Sequence, residues 1–262
     1  MRLTIAATAP FGADVLERLA ARHDVATLLT RPDRPAGRGR KVAAPPAKLA
    51  AERLGIPVLQ PERPASGLEL GAETVVVCAY GLLIPEELLE QGLWLNVHPS
   101  LLPRWRGAAP VERSLLAGET ETGVTIHETV KALDAGPIAA QRAFAVAPED
   151  DAGAVYERAA ALAVELLDEV LPEPAFRPQE GEPTYAAKIG PEDRELDWAR
   201  PTEENLNRIR ALSPHIGARA ELDGRRATIW RARIEDGRLV PVEVQPDGGK
   251  RMPYDAFLRG LR

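Results

Sequence analysis

Residues 74–79 read TVVVCA, and this run decides the fold. No apolar residue in it alternates with a charged one, so the strand it predicts is buried on both faces. Strands of that kind belong to parallel sheets covered by helices. The chain keeps to this plan on either side. RLTIAAT (Arg2–Thr8) is another apolar run, Ala13–Ala21 has helical character, and VATLLT (Val25–Thr30) is apolar again. Strand, helix and strand in that order open a βαβ unit. The pattern predicts a helix over Ala47–Leu54, an extended Ile56–Leu59, a short helix over Pro85–Gln91 ending at Gly92, and a strand over Leu93–Val97. Gly123–Thr129 (GVTIHET) alternates, as an antiparallel or edge strand does, and Ala140–Val146 is similar. Val155, Ala159, Leu162, Leu166 and Val170 form a helical stripe within Asp151–Leu171, with Asp150 or Asp151 as N-cap.

Pro172–Pro183 is proline-rich and has no apolar period, the composition of a linker across which the fold changes. A helix over Thr202–Leu212 follows, capped by Thr202 and with Glu203 and Glu204 in its first turn. Beyond it ARAELDG, RATIWRARI and RLVPVEV alternate, separated by Asp223–Gly224 and Asp236–Gly237, two hairpin signals. The expected fold class is α/β: a doubly wound, Rossmann-like domain over residues 1–180, a linker over 181–204, and a small β-rich domain over 205–262. The formal charge of −6 is unevenly spread, because residues 205–262 carry a net +5. A basic end on an acidic body suits an anionic partner reached from one side.

Several classes are excluded. A single cysteine, Cys78, inside an apolar run, leaves no disulfide framework and no multi-cysteine metal site, so no metal is expected. No stretch approaches the roughly 20 apolar residues of a membrane span, and the N-terminus lacks a convincing signal peptide, so a cytoplasmic protein without a membrane partner is expected. The first βα turn, TAPFGAD, is not a G-x-G-x-x-G loop, which disfavours a nicotinamide cofactor.

Residues 96–110, NVHPSLLPRWRGAAP, carry the chemistry. Asn96 and His98 are two apart on an extended segment and share a face where a central strand ends. An imidazole there can move a proton, and an amide can hold a carbonyl oxygen as it becomes an oxyanion. Alone, the pair also fits a polar strand end satisfied by loop backbone. Asp134 follows in KALDAGPI; a carboxylate meeting His98 would raise its proton affinity and orient it. No serine or cysteine stands in a nucleophile setting. Amide, imidazole and carboxylate suit direct attack by a substrate amine on a carbonyl. His23 and His127 have no evident partners in sequence and receive no role; His215 is read as structural.

NVHPSLLPRWRGAAP followed by LDAGPI resembles the formyltransferases that use 10-formyltetrahydrofolate. The resemblance covers most of residues 1–200. It implies that Asn96 and His98 stabilise the oxyanion on the formyl carbon, that Asp134 supports His98 and assists proton removal, and that Ser100, Leu101, Leu102 and Pro103 form the folate-binding turn. TRPDRPAGRGRKVAAPP (Thr30–Pro46) holds five basic residues, Arg31, Arg34, Arg38, Arg40 and Lys41, against the single acid Asp33. Its composition predicts an exposed irregular loop suited to phosphates, although a merely solvated loop has the same composition. It is similar to the tRNA-binding loop of the branch of that family that acts on methionyl initiator tRNA. The resemblance therefore implies this tRNA as partner, and a monomer is expected. Trp198 is read as an anchor on the first domain. The family's second domain is an OB-like barrel, and about 50 residues after Ser213 are too few for about five strands. A reduced open sheet is expected. Two alternatives remain: a formyltransferase for an amino-sugar nucleotide or other small amine, and a non-catalytic RNA- or folate-binding module.

Overall fold

The computed structural model describes residues 1–36 and 41–260. The chain opens with β1 (Arg2–Ala7), α1 (Pro10–Ala20) and β2 (Asp24–Leu29). Two short strands, β3 (Arg34–Ala36) and β4 (Lys41–Ala43), lead to α2 (Pro46–Leu54) and β5 (Val58–Leu59). Next come β6 (Thr74–Cys78), α3 (Glu86–Leu89), β7 (Leu93–His98), β8 (Arg106–Gly107), α4 (Pro110–Leu116), β9 (Glu121–Glu128), β10 (Ile138–Ala145) and α5 (Ala152–Val170). After β11 (Tyr185–Ala186) the chain forms α6 (Thr202–Leu212), β12 (Ala218–Leu222), β13 (Arg225–Glu235), β14 (Arg238–Pro246), β15 (Met252–Pro253) and α7 (Tyr254–Arg259). No described helix is long and apolar enough to cross a membrane.

The chain divides into two compact units. The first comprises Met1–Arg106, Gly123–Ala143 and Glu157–Thr184. Its sheet has seven strands in the order β10-β9-β7-β6-β1-β2-β5. β7, β6, β1, β2 and β5 run parallel, and β9 is antiparallel to β7. The parallel strands are the apolar runs of the sequence, and every residue of β6 is buried. β9 is an internal strand, buried from Thr122 to His127. Helix α1 starts at Pro10, three residues before the expected Ala13, because proline's fixed φ suits the first helical turn. Asp151 caps α5, its Oδ1 accepting the Ala154 N–H at 2.9 Å.

The second unit comprises Gly107–Thr122, Phe144–Tyr156 and Tyr185–Arg262. Its open sheet runs β12-β13-β14-β15, and the Asp-Gly turns connect Leu222 to Arg225 and Glu235 to Arg238 as expected of hairpins. Ile209 and Leu212 of α6 pack with Ala218, Ala220, Ala227, Ile229, Val244 and Phe257, while Ala211 packs with Val111, Leu115, Val146, Ala152 and Val155. Helix α6 therefore sits between two apolar surfaces.

Four expectations are corrected. Pro201, not Thr202, occupies the N-cap of α6, and the Thr202 hydroxyl donates to the Gly237 carbonyl instead. The basic segment is not wholly irregular, because Arg34 pairs with Ala43, Pro35 with Val42 and Ala36 with Lys41. Trp198 is 51% exposed, where a buried anchor was expected. Residues 172–184 stay with the first unit, and Arg177 exchanges backbone hydrogen bonds with Ile138 at 2.7 and 2.9 Å. Proline removed the periodicity there without removing the contacts.

Gly12 tests the packing of α1. Glycine to alanine inside a helix normally stabilises by about 1 kcal/mol. A Cβ on Gly12 would lie 2.4 Å from the Cys78 carbonyl oxygen and 2.8 Å from the Ala7 Cβ. Gly12→Ala is expected to lose about 2 kcal/mol in urea unfolding, as overpacked cores do; a gain in stability would show that α1 moves off the sheet freely.

Candidate active site

Strand β7 ends at His98, with Asn96 two residues earlier on the same face. The ladder to β9 sets His127 opposite Asn96 and Thr125 opposite His98. Opposed residues share a face, with Cβ atoms about 5 Å apart. One amide and two imidazoles thus converge, the ring centroids 6.3 Å apart at 68°. Asp134 arrives from the turn after β9 with φ +47°, a left-handed conformation that aspartate tolerates better than most residues. That turn is clamped. Gln179 Nε2 donates to the Asp134 and Gly136 carbonyls, both at 2.8 Å, and Gln179 Oε1 accepts from Arg106 Nη2 at 2.6 Å. A Cβ on Gly136 would fall 1.9 Å from the Glu128 carbonyl oxygen, so only glycine lets the turn close on the strand end.

Asp134 sits centrally, with Oδ2 3.7 Å from His98 Nδ1 and Oδ1 3.8 Å from His127 Nε2 and 3.4 Å from Asn96 Nδ2. His98 Nε2 lies 2.8 Å from the Trp105 carbonyl oxygen. A carbonyl only accepts, so Nε2 carries the hydrogen and Nδ1 faces Asp134. His127 is a site residue that the sequence reading left without a role. Burial, aided by the charges of His98 and Arg106, pushes it down to about 4 against the opposing pull of the Glu128 carbonyl bond and Asp134. It is neutral at pH 7. Finding it requires the β7–β9 register, which no local pattern in GVTIHET supplies.

The Ser100–Pro103 turn is rigid. Ser100 Oγ donates to the Arg104 carbonyl at 2.7 Å, and Thr125 Oγ1 donates to the Ser100 carbonyl at 2.7 Å. Gln141 Nε2 donates to the Leu102 carbonyl at 2.9 Å. The side chains of Ser100, Leu102 and Pro103 are buried, so only Leu101 and the backbone are open to a ligand. Cys78 is also buried, and burial raises its thiol far above the usual range, which leaves it inert.

The expected basic cluster is only partly described. Arg38 and Arg40 lie outside the described residues. Arg31 is half-buried at the end of β2, Arg34 stands 3.9 Å from Glu62, and Lys41 begins the exposed β4. Asp33 is not part of a cationic surface: Gln60 and Lys48 hold its carboxyl below the usual range, Lys48 Nζ at 2.8 Å. His23 Nε2 meets Asp168 at 2.8 Å, and His215 is exposed. No group of three or more His, Cys, Asp or Glu side chains among the described residues could hold a metal ion.

Residues 1–171 match the family described as formyl transferase, and residues 188–239 match the formyl transferase C-terminal domain. The methionyl-tRNA formyltransferase of Dinoroseobacter shibae is 43% identical, over 93% of this chain and 86% of its own. That of Cereibacter sphaeroides is 38% identical over 295 aligned positions, covering 100% of this chain and 96% of its own. The alignment is longer than this 262-residue chain, so at least 33 of its positions lack a counterpart here. The structure of a Clostridium thermocellum methionyl-tRNA formyltransferase has the same fold, with TM-score 0.66 at 18% identity, over 94% of this chain and 98% of that one.

The depressed His127 has a consequence for acid stability. The unfolded chain takes up this proton near 6.5, the folded chain only near 4. Stability is therefore lost as pH falls through that window, by up to about 3 kcal/mol at about 1.4 kcal/mol per unit. Urea unfolding at pH 7 and pH 4 is expected to show a smaller acid loss for His127→Gln than for the wild type; equal losses would remove His127 as the titrating group.

Proposed function

We propose that this chain, which belongs to the formyl transferase family, moves the formyl group of 10-formyltetrahydrofolate to the α-amino group of methionyl initiator tRNA. One observation carries the acceptor: methionyl-tRNA formyltransferases match the chain nearly end to end at 38–43% identity. The site supports direct transfer, since a carboxylate lies 3.7 Å from the one open imidazole nitrogen and the nearby Ser100 and Thr125 hydroxyls are committed to backbone carbonyls.

The aminoacyl ammonium gives one proton to Asp134 and becomes a nucleophilic amine. Its nitrogen attacks the formyl carbon, and the carbonyl electrons move to oxygen. The imidazolium of His98 donates a hydrogen bond from Nδ1 to that oxyanion and keeps its proton, while Nε2 stays held by the Trp105 carbonyl. Until it takes that proton, the Asp134 carboxylate favours the imidazolium form of His98. The bond from carbon to N10 then breaks, N10 takes the second proton of the attacking nitrogen, and tetrahydrofolate and the formylated amine remain. The Ser100–Pro103 turn presents backbone and Leu101 to the folate. Arg31, Arg34 and Lys41, with Arg38 and Arg40 in the same segment, meet the phosphates of the acceptor. The working unit of this reading is a monomer in the cytoplasm, where charged tRNA is made.

Formylation of charged initiator tRNA, beside charged elongator tRNA, tests this reading. kcat/KM for the tRNA is expected to fall steeply with salt, because each neutralised phosphate releases a counterion. His98→Ala and Asp134→Asn are each expected to lower kcat by about 1,000-fold with folate binding near normal. Activity on an amino-sugar nucleotide with no activity on methionyl-tRNA would overturn the proposal.

A further inference from the structure

We propose that His127 is a positioning residue: it holds the Asn96 amide with Nδ2 turned inward, so that Oδ1 faces the substrate and accepts a hydrogen bond from the attacking amine. The inference rests on Asn96 lying in the site proposed above for formyl transfer. It reverses the role the sequence resemblance implied, in which Asn96 donates to the oxyanion.

The argument starts at the Glu128 carbonyl, 2.8 Å from His127 Nδ1. A carbonyl accepts and cannot donate, so Nδ1 carries the hydrogen. A neutral imidazole has only one, and Nε2 is left as a lone pair. The group 2.9 Å from that lone pair, on Asn96, must therefore be the NH2 and not the oxygen. The other face of the same NH2 meets Asp134 Oδ1 at 3.4 Å, again an acceptor. Two independent acceptors thus impose one amide orientation, and both of its hydrogens point into the protein. Asn96 is half-buried where His98 and His127 are buried, and among the described residues nothing hydrogen-bonds to Asn96 Oδ1. An acceptor oxygen that reaches solvent beside His98 and Asp134 suits an N–H of the incoming amine. It would hold the nitrogen while Asp134 removes a proton, and it leaves the oxyanion to His98.

The charged and titratable groups facing His127 are His98, Asp134 and Arg106. Burial first, with His98 and Arg106 acting in the same direction, keeps the ring neutral, which preserves the lone pair. A protonated His127 would instead point an N–H at the amide and favour the opposite flip. The switch in Asn96 orientation is therefore expected only near pH 4, below the range in which the amine can attack.

The test needs no substrate for its first half. In 15N-labelled wild-type protein at pH 7, imidazole correlation spectra are expected to show His127 hydrogenated at Nδ1 and bare at Nε2. The Asn96 side-chain NH2 signals should move on His127→Leu. A hydrogen on Nε2 would overturn the proposal. The second half is a double-mutant cycle. His127→Leu is expected to lower kcat about 100-fold with KM for the formyl donor within about 2-fold, as a misplaced group does. His127→Gln, whose Oε1 can accept from Asn96, should recover most of that loss. In an Asn96→Ala background His127→Leu should cost less than about 2-fold. An equal cost in both backgrounds would mean that His127 does not act through Asn96. Wild type that leaves methionyl-tRNA unformylated while showing the expected tautomer would sink the acceptor reading and spare the orientation.

Discussion

The antiparallel register between β7 and β9 is the constraint on which the site depends. It sets Asn96 against His127 and His98 against Thr125. A slip of one residue would turn every side chain of one strand to the other face of the sheet. The imidazoles would separate, and Thr125 would leave the Ser100 carbonyl that it holds. The slip is blocked by burial, because Leu95, Val97, Val124 and Ile126 fill the interior between the polar positions. Apolar packing thus places polar chemistry, and the alternation of the two strands serves both.

Burying this much polarity is costly unless each group has a partner. The cost is met locally. Trp105 and Glu128 each offer a backbone carbonyl to one imidazole, and Asn96 fills the second nitrogen of His127. His98 Nδ1 alone is left to a carboxylate at 3.7 Å, too long for a hydrogen bond. Of the four imidazole nitrogens, the one without a close partner is the one the chemistry uses. The two rings, alike in type and 6.3 Å apart, are divided in role by their carbonyl partners. One exposes Nδ1 to a carboxylate, and the other exposes a lone pair to an amide.

Much of this was legible in the sequence. Uninterrupted apolar runs such as TVVVCA gave the parallel strands, because burial on both faces leaves no room for alternation. Asp-Gly pairs gave both hairpins, because few other residues adopt the backbone those turns need. Asn96 and His98 could be paired because their relation is local. His127 could not, since its partner lies 31 positions away across a ladder. Gln179 was hidden for a related reason. It lies in a proline-rich stretch whose contacts are made by one side chain and two backbone groups rather than by a repeating pattern. Trp198 shows the reverse error: a large aromatic residue suggests burial, and 51% of this one is exposed.

The small open sheet of the second unit must avoid the edge pairing that a closed barrel prevents. The edge formed by β12 is covered by its own chain, since Glu195 bridges Arg219 and the Leu196 N–H donates to the Arg219 carbonyl at 2.8 Å. The edge formed by β15 is two residues long and contains Pro253, which has no N–H to offer. With both edges blunted, α6 and α7 cover the inner face of the sheet, with Ile189, Leu196 and Ile216 packed beside them. The longest strand, β13, carries Arg225, Arg226, Arg231 and Arg233 exposed. Arg226 and Arg233 are committed to Glu195 and Glu235, but among the described residues no carboxylate lies within ion-pair distance of Arg225 or Arg231. Cations left without a carboxylate are free to meet a polyanion such as the acceptor proposed above.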